Sequence, residues 1–136
     1  MRFNPAIQGK GFHHIGLRVS DFDRSLHFYA EVLGFEKSIL CGEGEKRAIM
    51  LDCGGNNYIE LFAGGACGAR PDDMVVHLAL ETDDCAGAVQ RLREMGIEIH
   101  SGPDDCALPF YEGASVRIAF VKGPDGENIE LYQQLT

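Results

Sequence analysis

The sequence lacks a basic stripe. It carries 21 acidic against 12 basic residues, for a formal net charge of -9. This balance argues against nucleic acid as a partner, because phosphate backbones are bound by clustered Lys and Arg. The sequence also lacks an apolar run of the roughly 20 residues that span a bilayer, and residues 1–10 lack the apolar core of a signal peptide. We therefore expect a cytoplasmic protein without a membrane anchor.

CxxC pairs are also missing, and the number of cysteines is odd. The five cysteines are Cys41, Cys53, Cys67, Cys85 and Cys106. An odd set without this spacing fits poorly with a disulfide framework, whereas free cysteines in a reducing compartment behave as small apolar residues. We expect all five to be structural, with Cys106 in a loop.

The sequence does contain an internal repeat. Residues 11–36 and 75–99 each predict a strand, a turn rich in carboxylates, a helix of about three turns and a final glycine. Each copy is followed by a similar run, YIELF at 58–62 and NIELY at 128–132. The chain is therefore a duplicated unit, with one histidine and one glutamate at matched places in each copy.

Length and composition favour one domain built from these two copies. With 136 residues, of which 45% are hydrophobic and 24% charged, the chain is large enough for an apolar core without cross-links. We predict a single domain of two modules, joined by a linker of turn-forming composition. The boundaries are about 11–63 for module one, 64–73 for the linker and 74–133 for module two.

Alternation in the first strand, residues 12–19, predicts which of its faces meets the following helix. The set facing the helix is Ile15, Leu17 and Val19, and the set facing away is His14, Gly16 and Arg18. Ser20 is predicted to cap the helix and Gly34 to end it. The apolar stripe of this helix is Phe22, Leu26, Tyr29 and Leu33.

The second unit repeats this logic. Its first strand is predicted at 75–82, and its helix begins near Asp83 or Asp84 and ends at Gly96. The apolar stripe of this helix is Ala88, Leu92 and Met95. Further strands are predicted at 35–41, 46–53 and 116–121, so that each unit has one strand, one helix and three strands. Residues 101–113 are turn-rich and long for so small a domain, which predicts a substrate loop.

Four polar residues lie on the predicted uncovered faces: His14, Glu60, His77 and Glu130. Two imidazoles and two carboxylates that meet in a cleft suit one divalent ion such as Zn, Ni, Co, Mn or Fe(II), which removes the repulsion between the carboxylates. A single strand histidine is more often a core residue than a ligand, and a single glutamate could pair with Arg18. Repetition of both residue types at matched positions favours the metal site.

Four runs of the sequence carry a family resemblance. On HHIGLRVSDFDRSLHFYAEVLGFE, YIELF, VVHLALETDD and GPDGENIELY, the chain resembles the vicinal oxygen chelate superfamily. That superfamily includes glyoxalase I, methylmalonyl-CoA epimerase, extradiol dioxygenases, and fosfomycin and bleomycin resistance proteins. The resemblance extends from Phe12 to Tyr132. It implies an α+β fold of two tandem βαβββ modules that form an incomplete barrel.

The ligand pattern is similar to that of glyoxalase I. The resemblance implies one divalent metal held by His14, Glu60, His77 and Glu130. It also implies that Glu130 is the main base, with Glu60 as its counterpart, and that Arg18 faces a glutathione carboxylate. In glyoxalase I of this short type the metal site joins one module from each of two subunits, which implies a homodimer.

The substrate is less well defined by the resemblance. Aromatic residues are predicted to frame the cleft: Phe62, Phe110, Tyr111 and Tyr132. They suit an apolar or aromatic substrate as well as a thiol conjugate, and core packing is the alternative role for Phe62 and Tyr132. Gly64 stands where glyoxalase I usually has an Asn that helps to hold glutathione. Arg18 has an alternative role as partner of a neighbouring glutamate.

Three functions follow from these residues. The first is a metal-dependent lyase or isomerase of glyoxalase I type, which moves a proton between adjacent carbons of a small carbonyl or thiol adduct. The second is an acyl-CoA epimerase or extradiol dioxygenase, which Glu60 disfavours, because the resemblance implies Gln or no ligand there. The third is a metal-free protein that binds a drug or metabolite, in which His14→Ala and Glu130→Gln would leave ligand binding intact.

Overall fold

The computed structural model describes residue 6 and residues 12–66, 77–107 and 115–135. The chain divides into two compact units, Met1–Ala66 and Cys67–Thr136. Each unit has the order strand, helix, three strands, and each forms its own open four-stranded sheet. The predicted α+β fold of two βαβββ modules is therefore confirmed.

Unit one forms its sheet from four strands in the order β1-β4-β3-β2. Strand β1 runs parallel to β4, and the other neighbouring strands are antiparallel. The elements are β1 (His14–Arg18), α1 (Phe22–Leu26) with a π-helical continuation (His27–Val32), β2 (Glu36–Cys41), a 3-10 turn (Gly44–Lys46), β3 (Ala48–Gly54) and β4 (Asn57–Phe62).

Unit two repeats the topology, with the strand order β5-β8-β7-β6. Strand β5 runs parallel to β8, and the other pairs are antiparallel. The elements are β5 (Leu78–Glu81), α2 (Cys85–Glu94), β6 (Ile99–Ala107), β7 (Ser115–Lys122) and β8 (Asn128–Gln134). Within the described ranges, no helix is both long enough and apolar enough to cross a membrane.

Equivalent aspartates begin the two helices. The Asp21 carboxylate accepts a hydrogen bond from the backbone N–H of Arg24, and the Asp84 carboxylate accepts one from the N–H of Gly87. The prediction that Ser20 caps α1 is therefore wrong, because the carboxylate one residue later reaches the free N–H of the first turn. The predicted glycine stops are confirmed: Gly34 and Gly96 both have φ near +79°, a conformation that favours glycine.

The buried face of the first helix differs from the predicted stripe. Phe22 and Tyr29 are buried as expected, whereas Leu26 is only half-buried and Phe28 takes its place in the core. After Leu26 the helix continues as a π-helical segment, in which the N–H of Leu33 bonds the carbonyl oxygen of Phe28 five residues earlier. A π-helical segment has more than 3.6 residues per turn, so the stripe predicted for a regular helix does not hold along His27–Val32.

The helix of unit two is regular, and its buried residues are Cys85, Val89 and Leu92. Met95 was predicted to belong to this stripe, but it is 51% exposed. It lies one residue past the end of α2, where its N–H bonds back to the carbonyl oxygens of the last turn. The apolar stripe therefore ends with Leu92.

Alternating aliphatic residues in the central strands make the core of each unit. Ile59 and Leu61 in β4 are buried, as are Ile129 and Leu131 in β8, as expected for residues that alternate with Glu60 and Glu130 on the predicted uncovered faces. Burying one such side chain contributes about 1.5–3 kcal/mol. Ile15 departs from its predicted burial, since it is 40% exposed near the start of β1. The residues between the aliphatic ones face away from the helices.

The predicted substrate loop begins inside a strand. Residues 101–107, including Cys106, belong to the edge strand β6, where Pro103 is tolerated because an edge strand needs fewer N–H donors. Gly102 has φ +83°, and a Cβ there would lie 2.5 Å from the carbonyl oxygen of Ile118. The rest of the predicted loop, and residues 67–73 of the predicted linker, lie outside the described residues.

Candidate metal centre

In unit one, His14 and Glu60 lie side by side on the face of the sheet opposite the helix. Strand β1 pairs in parallel with β4, and Glu60 lies directly opposite Gly16, two residues after His14. Side chains two residues apart share one face of a strand. Nε2 of His14 therefore approaches Oε2 of Glu60 to 3.5 Å.

Unit two builds the same arrangement from equivalent positions. Strand β5 pairs in parallel with β8, and Glu130 lies opposite Ala79, two residues after His77. Nε2 of His77 lies 2.9 Å from Oε2 of Glu130. Both units therefore place a histidine and a glutamate at the same register of the same pair of strands.

Exposure and donor chemistry of these pairs suit a cation. The side chains of His14 and His77 are 42% and 40% exposed, so both imidazoles reach solvent. The side chain of Glu130 is only 10% exposed, and its described partner is the imidazole of His77. An imidazole nitrogen and a carboxylate oxygen are both ligands of divalent first-row ions, and such an ion would balance the charge of the carboxylate. The residues present therefore fit a divalent metal.

The structure brings the four predicted ligands together as two pairs. In the part of the chain that the structure describes, no group of three or more His, Cys, Asp or Glu side chains is placed to hold a metal ion. The meeting of all four residues at one ion stays a prediction.

Arg18 contacts residues of the neighbouring strand rather than a glutamate of the pair. Its Nη1 donates to the carbonyl oxygen of Ala63 at 3.0 Å, and its guanidinium lies 5.5 Å from the centre of the Phe62 ring. The Phe62 ring also covers Gly16, where a Cβ would lie only 3.1 Å from its edge. Arg18 and Phe62 thus form one surface next to His14, with a cation over an aromatic ring.

The other predicted substrate residues are only partly described. Tyr132 is half-buried in β8, two residues beyond Glu130 and on the same face. Phe110 and Tyr111 lie outside the described residues. Gly64 has φ +84° and is exposed just after β4, and a Cβ there would lie 3.2 Å from the backbone oxygen of Glu45.

Two residues next to the His–Glu pairs were not predicted from the sequence. His13 is not among the predicted site residues, yet its Nδ1 lies 2.9 Å from Nδ1 of His14. It precedes the first residue of β1, so strand alternation does not apply to it. Phe120 lies opposite Glu130 and presents its ring at 76° to that of His77, with centroids 5.7 Å apart. Phe120 could have been predicted to lie on the same face as Glu130 from the alternation of residues along β7.

Two cysteines have properties expected of structural residues. Burial raises the pKa of the Cys53 thiol in unit one. It also raises the pKa of the Cys85 thiol, which is more deeply buried in unit two. Cys53 donates to the carbonyl oxygen of Asn57, and Cys85 lies fully buried at the start of α2. A raised pKa leaves less thiolate, which is the form that reacts or binds metal.

Two successive βαβββ units, each with a histidine and a glutamate facing away from its helix, define an α+β protein of the paired-module class. The family follows from the sequence match. The chain belongs to the Glyoxalase/Bleomycin resistance protein/Dioxygenase superfamily, whose family model matches residues 11–131.

Relatives of known name span nearly the whole chain. The lactoylglutathione lyase of Salmonella typhimurium strain LT2 is 33% identical over 129 residues, with 88% of this chain and 90% of that protein covered. YwbC of Bacillus subtilis strain 168, an uncharacterized protein, is 31% identical, with 92% and 98% covered. The trypanothione-dependent glyoxalase I of Leishmania major superposes with a TM-score of 0.70 at 27% identity, with 92% and 87% covered.

Proposed function

We propose that the chain is a divalent-metal-dependent lyase or isomerase of glyoxalase I type. It moves a proton between adjacent carbons of a small carbonyl or thiol adduct. The proposed metal ligands are His14, Glu60, His77 and Glu130. The observation that carries the proposal is the repetition of one His–Glu pair at one strand register in both units.

The proton transfer is assigned to the carboxylates. A divalent ion held by the four proposed ligands would polarise the oxygens of the substrate and so make the neighbouring C–H more acidic. The Glu130 carboxylate removes that proton and returns it to the adjacent carbon, and Glu60 is its counterpart on the other side of the substrate. Glu130 suits this role because it is largely withdrawn from solvent, which limits exchange of the proton with water.

Arg18 and the aromatic residues are assigned to substrate binding. The Arg18 guanidinium suits a carboxylate of the substrate, and the Phe62 ring beneath it offers an apolar surface. The proposed remaining contacts are Phe110, Tyr111 and Tyr132. The thiol carrier is left open by the proposal, because the named relatives include a lactoylglutathione lyase and a trypanothione-dependent enzyme.

The proposal includes a cytoplasmic homodimer. Each unit supplies one His–Glu pair, which is half of a four-ligand set. We propose that one pair from each of two subunits holds each ion. Light scattering together with metal analysis tests this part, and a stable monomer with a full metal complement contradicts it.

The activity is tested on purified protein, first by elemental analysis and then by turnover of methylglyoxal plus glutathione with Zn, Ni, Co, Mn or Fe(II) restored. We expect turnover that depends on the metal and is lost in His77→Ala. His100→Ala is the matched control, because His100 is exposed in the edge strand β6, outside both pairs. Metal-independent ligand binding that survives in His14→Ala and Glu130→Gln would instead favour a binding protein.

A further inference from the structure

We infer that His13 is a positioning residue, which sets the tautomer of His14 so that its Nε2 is free to bind the cation. This inference rests on the proposed metal site. The two adjacent imidazoles meet through Nδ1 of each ring, 2.9 Å apart, with the rings nearly perpendicular at 88°. This is the separation of a hydrogen bond, and it leaves Nε2 of His14 directed at Glu60.

Two ring nitrogens at hydrogen-bond distance require one N–H and one lone pair. When His14 donates from Nδ1, its Nε2 is unprotonated and is able to ligate a metal. When His13 donates instead, Nε2 of His14 carries the proton and faces Glu60 at 3.5 Å, which is long for a hydrogen bond. Only the first arrangement is compatible with both the short Nδ1 contact and a metal on Nε2.

Two contacts hold His13 in the position that this role needs. Its ring stacks on Tyr58, with centroids 5.1 Å apart and an interplanar angle of 29°. Its backbone carbonyl oxygen accepts a hydrogen bond from the N–H of Tyr58 at 2.9 Å. Tyr58 belongs to β4, the strand that also carries Glu60, so His13 is fixed relative to the carboxylate that completes the pair.

Unit two lacks an equivalent of His13. The residue before His77 is Val76, whose side chain has no hydrogen-bonding atom. His77 is instead 2.9 Å from its own carboxylate and is contacted by the edge of Phe120. The polar contact at Nδ1 of His14 therefore comes from a residue that unit two does not repeat at the matched sequence position. Metal-binding histidines are commonly oriented through their second nitrogen in this way.

Two substitutions separate the hydrogen bond from the stacking contact. His13→Phe keeps a ring that stacks on Tyr58 but removes the acceptor, whereas His13→Asn keeps an acceptor near the position of Nδ1. We measure Zn²⁺ affinity by competition with a chromophoric chelator. A loss of about 10- to 100-fold is expected for His13→Phe, and an affinity close to that of the wild type for His13→Asn. His100→Phe serves as the control for loss of an exposed histidine.

The second measurement is the tautomer itself, from ¹⁵N NMR of the imidazoles in metal-free protein at alkaline pH. We expect His14 protonated at Nδ1 and His13 protonated at Nε2. His14 protonated at Nε2, or His13→Phe with the wild-type affinity, overturns the inference while the metal site stands. A wild-type protein that binds none of Zn²⁺, Ni²⁺, Co²⁺, Mn²⁺ or Fe²⁺ overturns the proposed function and this inference with it.

Discussion

The two units place the same residue types at the same strand register, but they surround the two carboxylates differently. The His77–Glu130 contact is 2.9 Å and its carboxylate is 10% exposed, whereas the His14–Glu60 contact is 3.5 Å and its carboxylate is 21% exposed. The repeat therefore determines where each His–Glu pair lies. It does not determine the distance between the histidine and the carboxylate of each pair.

Cross-strand neighbours also distinguish the two pairs. Glu130 lies between Ala79 and Phe120 on the adjacent strands, whereas the corresponding neighbours of Glu60 are Gly16 and Met50. The ring of Phe120 lies 5.7 Å from that of His77 and nearly perpendicular to it, on the side of Glu130 that Met50 occupies for Glu60. Gly16 leaves space that the ring of Phe62, two residues beyond Glu60, partly fills. The cross-strand neighbours therefore differ between the shorter His77–Glu130 contact and the longer His14–Glu60 contact.

The largest expected effect comes from removing each carboxylate in turn. Glu130→Gln keeps the shape of the side chain but removes the more enclosed base, and we expect turnover to fall by about 10²- to 10⁴-fold. Glu60→Gln should cost less, because its carboxylate is more exposed and its contact with histidine is longer. The measurement is kcat for methylglyoxal plus glutathione, with the bound metal quantified in each variant. Equal losses in the two variants would show that the two carboxylates contribute equally, and would contradict a larger role for Glu130.

The repeated features of the sequence were the ones that could be predicted. Both copies were predicted to have a turn rich in carboxylates before the helix, and in each an aspartate of that turn, Asp21 or Asp84, caps the helix. Alternation along β4 and β8 placed the aliphatic residues in the core and the two glutamates on the other face. Local periodicity therefore determined the fold and the position of each pair.

Departures from periodicity could not be predicted in this way. Phe28 is buried near the start of the π-helical segment, whereas Leu26 just before it is half-buried, and no composition signal marks a turn that is one residue wider. The contact between His13 and His14 depends on the backbone just before β1, where the strand period does not yet apply. The periodicity within one unit also carries no information on whether both His–Glu pairs bind the same ion.

The second prediction concerns the two helices, one with a π-helical segment and one regular. Phe28→Ala should destabilise the protein by about 3–5 kcal/mol, because Phe28 is 5% exposed in the core of unit one. Leu26→Ala should cost clearly less, since Leu26 is only half-buried. The free energy of unfolding from urea titration measures both. Leu92→Ala in the regular helix is the reference, and a Leu26→Ala loss equal to that of Leu92→Ala would contradict the altered face.

A smaller effect is expected from exchanging the residues opposite the two glutamates. Gly16→Ala places a Cβ 3.1 Å from the Phe62 ring, so the ring must move by a few tenths of an ångström. We expect KM to rise, because Phe62 is a proposed substrate contact, while the unfolding free energy changes by less than about 1 kcal/mol. Ala79→Gly is the converse change in unit two and should lower stability with little effect on KM. A Gly16→Ala variant with the wild-type KM would remove Phe62 from the substrate surface.

The smallest effect should come from the edge strands, which the two units secure by different ion pairs. In unit two, Arg117 of β7 donates two hydrogen bonds to Asp105 of β6, at 2.7 and 3.0 Å. In unit one, Lys37 of β2 reaches Glu31 of the helix at 3.3 Å. The hydrogen bond from Arg117 lowers the pKa of Asp105 below its usual value of 3.8.

A carboxyl group whose pKa is lowered by folding stabilises the folded state when it is charged. The contribution of Asp105 is therefore complete above its unfolded pKa and is lost as the pH falls through the lower pKa of the folded protein. We expect Asp105→Asn to lower Tm slightly at pH 7, since both partners are exposed to solvent, and the difference from the wild type to shrink toward pH 2. Glu31→Gln is the matched change in unit one. A Tm difference for Asp105→Asn that stays constant from pH 7 to pH 2 would show that the pair does not hold the edge strand through charge.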